Sequence, residues 1–305
     1  MLINLSGRVA IVTGAGGGLG RAHALLLASR GARLVVNDLG GATDGGGGSI
    51  SAAQKVAAEI EAMGGEAIAN GASVTDHAEV EAMVADAVAR WGRVDILVNN
   101  AGILSDKTFS KMELADFRAV VEVHLMGAVN CTKAVWELMR QQQYGRIVMT
   151  TSSSGLYGNF GQSNYGAAKM ALVGLMQTLG LEGEKHNVRV NCLAPTAATR
   201  MMEGVLPPAM LDALAPERVS PAVLALVSED APNRKIICAG GGSFEQANIT
   251  LTPGLFIGDS PDAAEQLLAR HEELVDRTGE IIPASAIVQG QVELAKGGFD
   301  LSAVP

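Results

Sequence analysis

Tyr165 precedes Lys169 by four residues, with only Gly166, Ala167 and Ala168 between them. Four residues are about one helical turn, so phenol and ammonium share a helix face. In a chain with only three tyrosines, this placement has two readings. One is a solvated surface pair. The other is an acid–base device, because a neighbouring ammonium favours the phenolate of a group whose free pKa is about 10. Lowering that value by about three units takes roughly 4 kcal/mol of differential stabilisation. The small residues between leave room for a ligand.

A second stretch, Thr13–Gly20 ("TGAGGGLG"), spaces Gly14, Gly18 and Gly20 as G-xxx-G-x-G. The G-x-G-x-x-G spacing does not fit it in any register. It follows an apolar run of strand length and opens a helical pattern. There, helix N–H groups without side chains in the way let a pyrophosphate approach closely. Asp38 lies 18 residues after Gly20, at the end of the second apolar run, where a carboxylate accepts from ribose hydroxyls and repels a 2′-phosphate. Leu39 follows it, not a basic residue, so NAD is favoured over NADP.

The elements that must position these groups are legible as apolar runs. Arg8–Thr13, Arg33–Asp38, Glu66–Asn70, Val94–Asn100, Arg146–Ser152, Val188–Ala194 and Lys235–Ala239 read as seven strands, mostly apolar throughout. Between them, Arg21–Arg30, Ala52–Met63, Ala78–Trp91, Leu114–Gln141 and Tyr165–Lys185 read as helices. Strand and helix in alternation imply an α/β fold with a doubly wound parallel sheet and helices on both faces. Gly40–Ser49 reads as a mobile loop at a strand's carboxyl end. Beyond Ala239 the pattern weakens, and Pro261–Thr278 reads as one helix. The expected division is a dinucleotide-binding catalytic domain over 1–249 and an extension over 250–305 in the same domain, capping a neighbour or the cleft.

The net charge of −9 over 305 residues argues against nonspecific nucleic-acid binding. Cys131, Cys192 and Cys238 are far apart and beside small or apolar residues, so they read as free thiols in a reducing compartment. The five histidines show no metal-ligand spacing, so no metal is expected. The start is not a signal peptide, no apolar run is long enough for a membrane helix, and the tail "SAVP" is no targeting box. The expectation is a cytoplasmic protein with no membrane partner.

Taken jointly, "TGAGGGLG", "NNAG" at Asn99–Gly102, Ser152 and Tyr165-xxx-Lys169 resemble the short-chain dehydrogenase/reductase family over about Leu5–Phe244. That resemblance implies a Rossmann-type fold in which the tyrosine takes the substrate hydroxyl proton as hydride leaves for NAD. It implies that Lys169 also holds the nicotinamide ribose, and that Ser152 binds the reacting oxygen. It places Gly14, Gly18, Leu19, Gly20, Asp38, Asn100, Ala101, Gly102, Pro195, Thr196 and Thr199 on the cofactor. Ser73 and Val74 stand at the adenine position, where the family often has Asp, and Pro195-Thr196 replaces its usual Pro-Gly. His124 stands where many members carry an Asn that holds a water of the proton relay; an imidazole can hold that water or carry the proton.

Within the family, "VNDLGG", "HLMGA", "SSSGLYGNFGQSNYGAAK" and "APTAATRM" are similar to the (3R)-hydroxyacyl-CoA dehydrogenase domains of peroxisomal multifunctional enzymes. The resemblance implies oxidation of a (3R)-3-hydroxyacyl-CoA by a stand-alone dehydrogenase. The alternative is a 17β-hydroxysteroid or other free secondary alcohol, and a remote one is an inactive nucleotide-binding scaffold. Leu156, Tyr157 and Phe160, with Met201 and Met202, are expected to line the apolar part of the substrate. Lys107, Lys111, Arg118 and Arg200 are the cations available to a CoA. Family likeness further implies a homodimer or homotetramer built through the long helices.

Overall fold

The computed structural model describes residues 2–40, 49–198 and 207–300. Its apolar runs form β1 (Val9–Thr13), β2 (Arg33–Asn37), β3 (Ala67–Asn70), β4 (Ile96–Asn99), β5 (Gly145–Thr150), β6 (Val188–Thr196) and β7 (Ile236–Gly240). The seven are parallel, in spatial order β3-β2-β1-β4-β5-β6-β7. Every residue of β1, β4 and β5 is buried, which is why these strands lack alternation.

The sheet has an eighth strand that the apolar pattern did not announce, β8 (Ser243–Ala247), at the β7 edge. Only Gly241 and Gly242 join it to β7, both at positive φ (+60° and +83°). A two-residue link between neighbours makes an antiparallel hairpin, and positive φ at both central residues suits its turn. Four of its five residues are exposed, so burial left no apolar signature.

Helices α1 (Gly18–Ser29), α2 (Ser51–Ala62) and α3 (His77–Trp91) follow the first three strands. Asp76 caps α3 by accepting from the Ala78 and Glu79 N–H groups, at 2.9 and 3.1 Å. The stretch expected as one helix over Leu114–Gln141 is α4 (Leu114–Val121) and α5 (Gly127–Gln142), joined without a break by a π-helical turn at Glu122–Met126. Such turns insert one residue into a helix and gather at functional sites. Then come α6 (Ser153–Tyr157), α7 (Ser163–Gly183), α8 (Pro208–Ala213) and α9 (Ser220–Leu226). Helices α1, α2 and α9 cover one face of the sheet, and α5 and α7 the other, with α3 on α5.

At the amino ends of the strands sits a polar clamp. The fully buried Arg146 donates to the carbonyls of Ser228 (2.9 Å), Gly145, Asn187 and Glu229 (2.8 Å each). Its guanidinium and that of Arg8 lie 4.2 and 3.5 Å from the Tyr144 ring centre. The clamp lies at the opposite end of the sheet from the ligand loops.

The chain divides into two compact units, Met1–Gln246 and Ala247–Pro305. The second holds α10 (Ala263–Ala269), α11 (His271–Val275) and α12 (Ala286–Lys296), with an antiparallel bridge between Leu251 and Ile281. The single helix expected over Pro261–Thr278 is therefore two, parted where Arg270 leaves helical geometry at φ −105°, ψ 25°. None of this unit's described residues is buried. Among the described residues, no helix is long and apolar enough to cross a membrane, and no cluster of side chains could hold a metal ion.

Candidate active site

In this strand order the chain reverses direction between β1 and β4, where open α/β sheets form a crevice at the carboxyl ends. The glycine loop leaves β1 there. The Thr13 hydroxyl accepts from the N–H groups of Asn100 and Ala101, both at 3.0 Å, and donates to the Val98 carbonyl. The Asn100 amide donates back to the carbonyls of Thr13 and Gly14, at 3.0 and 3.1 Å. A Cβ on Gly14 would lie 2.8 Å from Ala101 Cα, and one on Gly20 would strike the Gly14 carbonyl. The "NNAG" stretch thus locks the loop to β4, which requires glycine on the loop side.

Asp38 follows β2 and points at this loop. Its two carboxylate oxygens accept from the N–H groups of Gly16 and Gly40, each at 2.7 Å. A Cβ on Gly16 would lie 2.8 Å from that carboxylate. This cradle, open at the start of α1 and ending in an anchored carboxylate, fits a dinucleotide: pyrophosphate over the glycines, ribose hydroxyls toward Asp38. Leu19 packs against the core behind it. Gly18 stands exposed at the helix start.

Ser73 and Val74 follow β3. The Ser73 hydroxyl meets that of Thr75 at 2.8 Å, and the Val74 carbonyl accepts from the Asn130 amide at 2.9 Å. Gly127 makes room for the Val74 side chain. Asn130 therefore pins the loop after β3 to α5.

Ser152 follows β5 and caps α6, accepting from the Ser154 N–H at 3.2 Å. Its hydroxyl lies beside the Tyr165 phenol and favours the phenolate. Tyr165 and Lys169 occupy one face of α7, with the ammonium 5.5 Å from the phenol ring centre. Gly155 lets α6 approach, since a Cβ there would lie 2.8 Å from Lys169 Cβ. Lys169 is buried and donates to the Thr150 carbonyl at 2.5 Å. Burial lowers its pKa to about 7.

The phenol departs from the expectation. Burial raises its pKa above the usual value, the neighbouring Ser152 hydroxyl opposes this, and Asp106 raises it further. Lys169 aims at the Thr150 carbonyl.

His124 sits in the π-helical turn, 5% exposed. Its Nε2 lies 2.7 Å from the Ile103 carbonyl and 3.1 Å from the Ile103 N–H. Burial first, then the Lys169 charge, lower its pKa to about 3, so the ring is neutral. A Cβ on Gly102 would strike this imidazole, which explains the glycine that ends "NNAG".

Thus Ser152, Tyr165, Lys169 and His124 converge beside the glycine cradle. Leu156 is half-buried in α6, whereas Tyr157 and Phe160 are 73% and 89% exposed. Pro195 is half-buried and Thr196 exposed at the end of β6. Thr199, Met201, Met202 and Arg200 lie outside the described residues. Sequence reasoning passed over Asp106 and Asn164. Asp106 accepts from Gln162 at 2.6 Å. The Asn164 amide ties α7 to the Ser105 carbonyl at 2.9 Å. Both come from loop contacts that no local spacing announces.

Comparison with known proteins places this geometry among relatives. Residues 8–208 match the family model described as short chain dehydrogenase. A short-chain type dehydrogenase/reductase of Mycobacterium tuberculosis is 48% identical over 273 residues, covering 89% of this chain and 95% of its own. The full-length peroxisomal multifunctional enzyme type 2 of Drosophila melanogaster superposes with a TM-score of 0.79 at 35% identity. The match covers 97% of this chain but only half of that enzyme. A 7α-hydroxysteroid dehydrogenase complexed with NADH and 7-oxo glycochenodeoxycholic acid superposes with a TM-score of 0.70 at 31% identity, covering 79% of this chain and 95% of that one.

Proposed function

The chain belongs to the short-chain dehydrogenase/reductase family, and from that premise we propose that it oxidises a secondary alcohol to a ketone with NAD. The substrate we infer is a (3R)-3-hydroxyacyl-CoA, giving the 3-ketoacyl-CoA. The observation that carries the reading is the placement of the Tyr165 ring, 5.5 Å from the buried Lys169 ammonium and 5.1 Å from the His124 ring, beside the buried Ser152.

NAD supplies the hydride acceptor. The chain's residues handle the rest. Ser152 holds the substrate oxygen beside the phenol. Tyr165 takes the hydroxyl proton as the carbon loses its hydride, so the C–H and O–H bonds break together and a C=O bond forms. Lys169 holds the nicotinamide ribose and steadies the phenolate. His124, neutral and one ring away, shares the proton-handling end of the site. Asp38 selects against a 2′-phosphate, which is the basis for NAD rather than NADP.

The CoA reading draws on sequence resemblance and on exposed apolar side chains near the cleft, Tyr157 and Phe160. Of the four cations considered for CoA, Lys107 is engaged by Asp116 at 2.6 Å, leaving Lys111 and Arg118 exposed. That engagement favours, as a second reading, a free secondary alcohol such as a 17β-hydroxysteroid. The assembly we propose is a homodimer or homotetramer, supported by exposed Met170 and Leu181 on α7. The two buried free thiols, Cys131 and Cys192, suit a cytoplasmic setting.

The test is a steady-state assay with NAD and NADP across (3R)-3-hydroxyacyl-CoAs of several lengths and steroid alcohols, with Tyr165→Phe as control. Rapid NAD reduction on the acyl-CoAs, lost in Tyr165→Phe, is the expected result. Turnover on no secondary alcohol, or near-normal turnover in Tyr165→Phe, would overturn it.

A further inference from the structure

Two loops are tied together at the start of α7. One follows β4 and carries Ser105 and Asp106; the other joins α6 to α7 and carries Asn159 and Gln162. Asn164, fully buried, donates to the Ser105 carbonyl at 2.9 Å and accepts from the Tyr165 N–H at 2.8 Å. Gln162 donates to the Asp106 carboxylate at 2.6 Å. The Gln162 amide oxygen accepts from the Ser154 hydroxyl at 2.8 Å and the Asn159 amide at 3.0 Å. These partners fix the direction of the Gln162 amide, so its N–H can only face the carboxylate.

Burial disfavours the Tyr165 phenolate first, the Ser152 hydroxyl opposes this, and the Asp106 charge adds to it. That charge therefore reaches the reacting oxygen. Of the ion pairs among the described residues, none holds Asp106. Lys107, next in the chain, is engaged by Asp116 at 2.6 Å. The proposed substrate brings a further group into this field. With the alcohol oxygen hydrogen-bonded to the phenol, C1 of a 3-hydroxyacyl group stands two bonds from the reacting carbon, and its oxygens fall within about 6 Å of the phenol oxygen. A free 3-hydroxy acid carries a negative charge there, and a thioester carries none. Two like charges in one site repel each other.

We propose that Asp106 is a specificity-determining residue that admits a neutral acyl thioester and rejects the free 3-hydroxy acid. It acts by like-charge repulsion at C1, and Gln162 fixes its place. The filter reads charge near the reacting carbon, not chain length or ring shape. This deepens the proposed function and rests on it for the station of the substrate oxygen between Ser152 and Tyr165.

The experiment measures kcat/KM with NAD on (3R)-3-hydroxybutyrate and on its neutral N-acetylcysteamine thioester, in wild type, Asp106→Asn and Asp106→Glu. Asp106→Asn removes the charge and leaves an amide oxygen to receive the Gln162 hydrogen. The ratio of kcat/KM, thioester over free acid, should fall about tenfold in this variant, equivalent to ~1.4 kcal/mol of repulsion. Asp106→Glu keeps the charge and should keep the ratio within about threefold of wild type. An unchanged ratio in Asp106→Asn, or an equal fall in Asp106→Glu, would overturn the proposal.

A readout independent of turnover is the Kd of 3-oxobutyrate and of its methyl ester, read from the fluorescence of enzyme-bound NADH. The ester's advantage over the acid should shrink about tenfold from wild type to Asp106→Asn; an advantage of equal size in both proteins would overturn the charge filter. Failure of the wild type on every secondary alcohol would sink the proposed function, and the two Kd ratios would still decide on Asp106.

Discussion

The imidazole of His124 stands edge-on to the phenol of Tyr165, with ring centres 5.1 Å apart and planes at 90°. Edge-to-face contact is a favoured aromatic geometry, worth about 0.5–1.5 kcal/mol beyond burial. It holds a neutral ring against the group proposed to take the proton. His124→Ala should therefore lower kcat about tenfold or more while KM for NAD changes little. Steady-state kinetics with a solvent isotope effect would show this. An unchanged kcat would make His124 a core residue only.

Asp38 carries two loads, the loop and the ribose. Asp38→Ala should weaken the preference for NAD over NADP by about tenfold, equivalent to ~1.4 kcal/mol. It should also cost about 1–2 kcal/mol of stability, because the Gly16 and Gly40 N–H groups lose their acceptor. Kinetics with both cofactors and a thermal melt check the two effects separately. An unchanged cofactor ratio would remove Asp38 from the ribose.

Two buried histidines make stability depend on pH. Burial lowers the pKa of His23 and of His124 to about 3, against 6.5 for the free side chain. The unfolded chain thus binds more protons below pH 6.5, and stability falls as the solution is acidified. The loss runs from about pH 6.5 toward pH 3, by about 1.4 kcal/mol per pH unit per histidine. His23→Gln should flatten a urea-denaturation series over this range by one histidine's share. An equal slope in wild type and variant would contradict it.

At the other end of the sheet, Arg146→Met should cost about 3 kcal/mol or more, since the carbonyls of Asn187, Ser228 and Glu229 lose a buried donor. For a domain of this size that is a fall of roughly 6–12 °C in Tm. Differential scanning calorimetry measures it. A shift below about 2 °C would mean the clamp is replaceable by water.

Where residues were buried or turned, the sequence was readable. The continuous apolar runs announced β1, β4 and β5 because all their residues are buried. The glycine loop was readable because close backbone approach excludes side chains at Gly14 and Gly20. β8 was not, because an exposed edge strand needs no apolar alternation. The π-helical turn was not, because Glu122–Met126 contains neither proline nor glycine to mark it. The pairing of Tyr165 with Lys169 was legible as spacing, but the direction of the phenol's pKa shift was not. Burial depends on the packing of α6 and the Ser105–Asp106 loop, which no local pattern encodes. Asn99 and Asn130 were opaque for the same reason: their partners are 33 to 56 positions away.

The turn at Glu122–Met126 holds one more residue than a regular helix would. Each residue advances a helix by about 100°, so everything downstream is rotated by that much against an uninterrupted continuation. Asn130 points at the Val74 carbonyl, and Gly127 faces the Val74 side chain, because of this offset. Removing Val123 would let the two halves fuse into one straight rod and hand the imidazole's station to another side chain. The surplus residue thus acts as a dial: it sets the bearing of half a helix while leaving the other half docked.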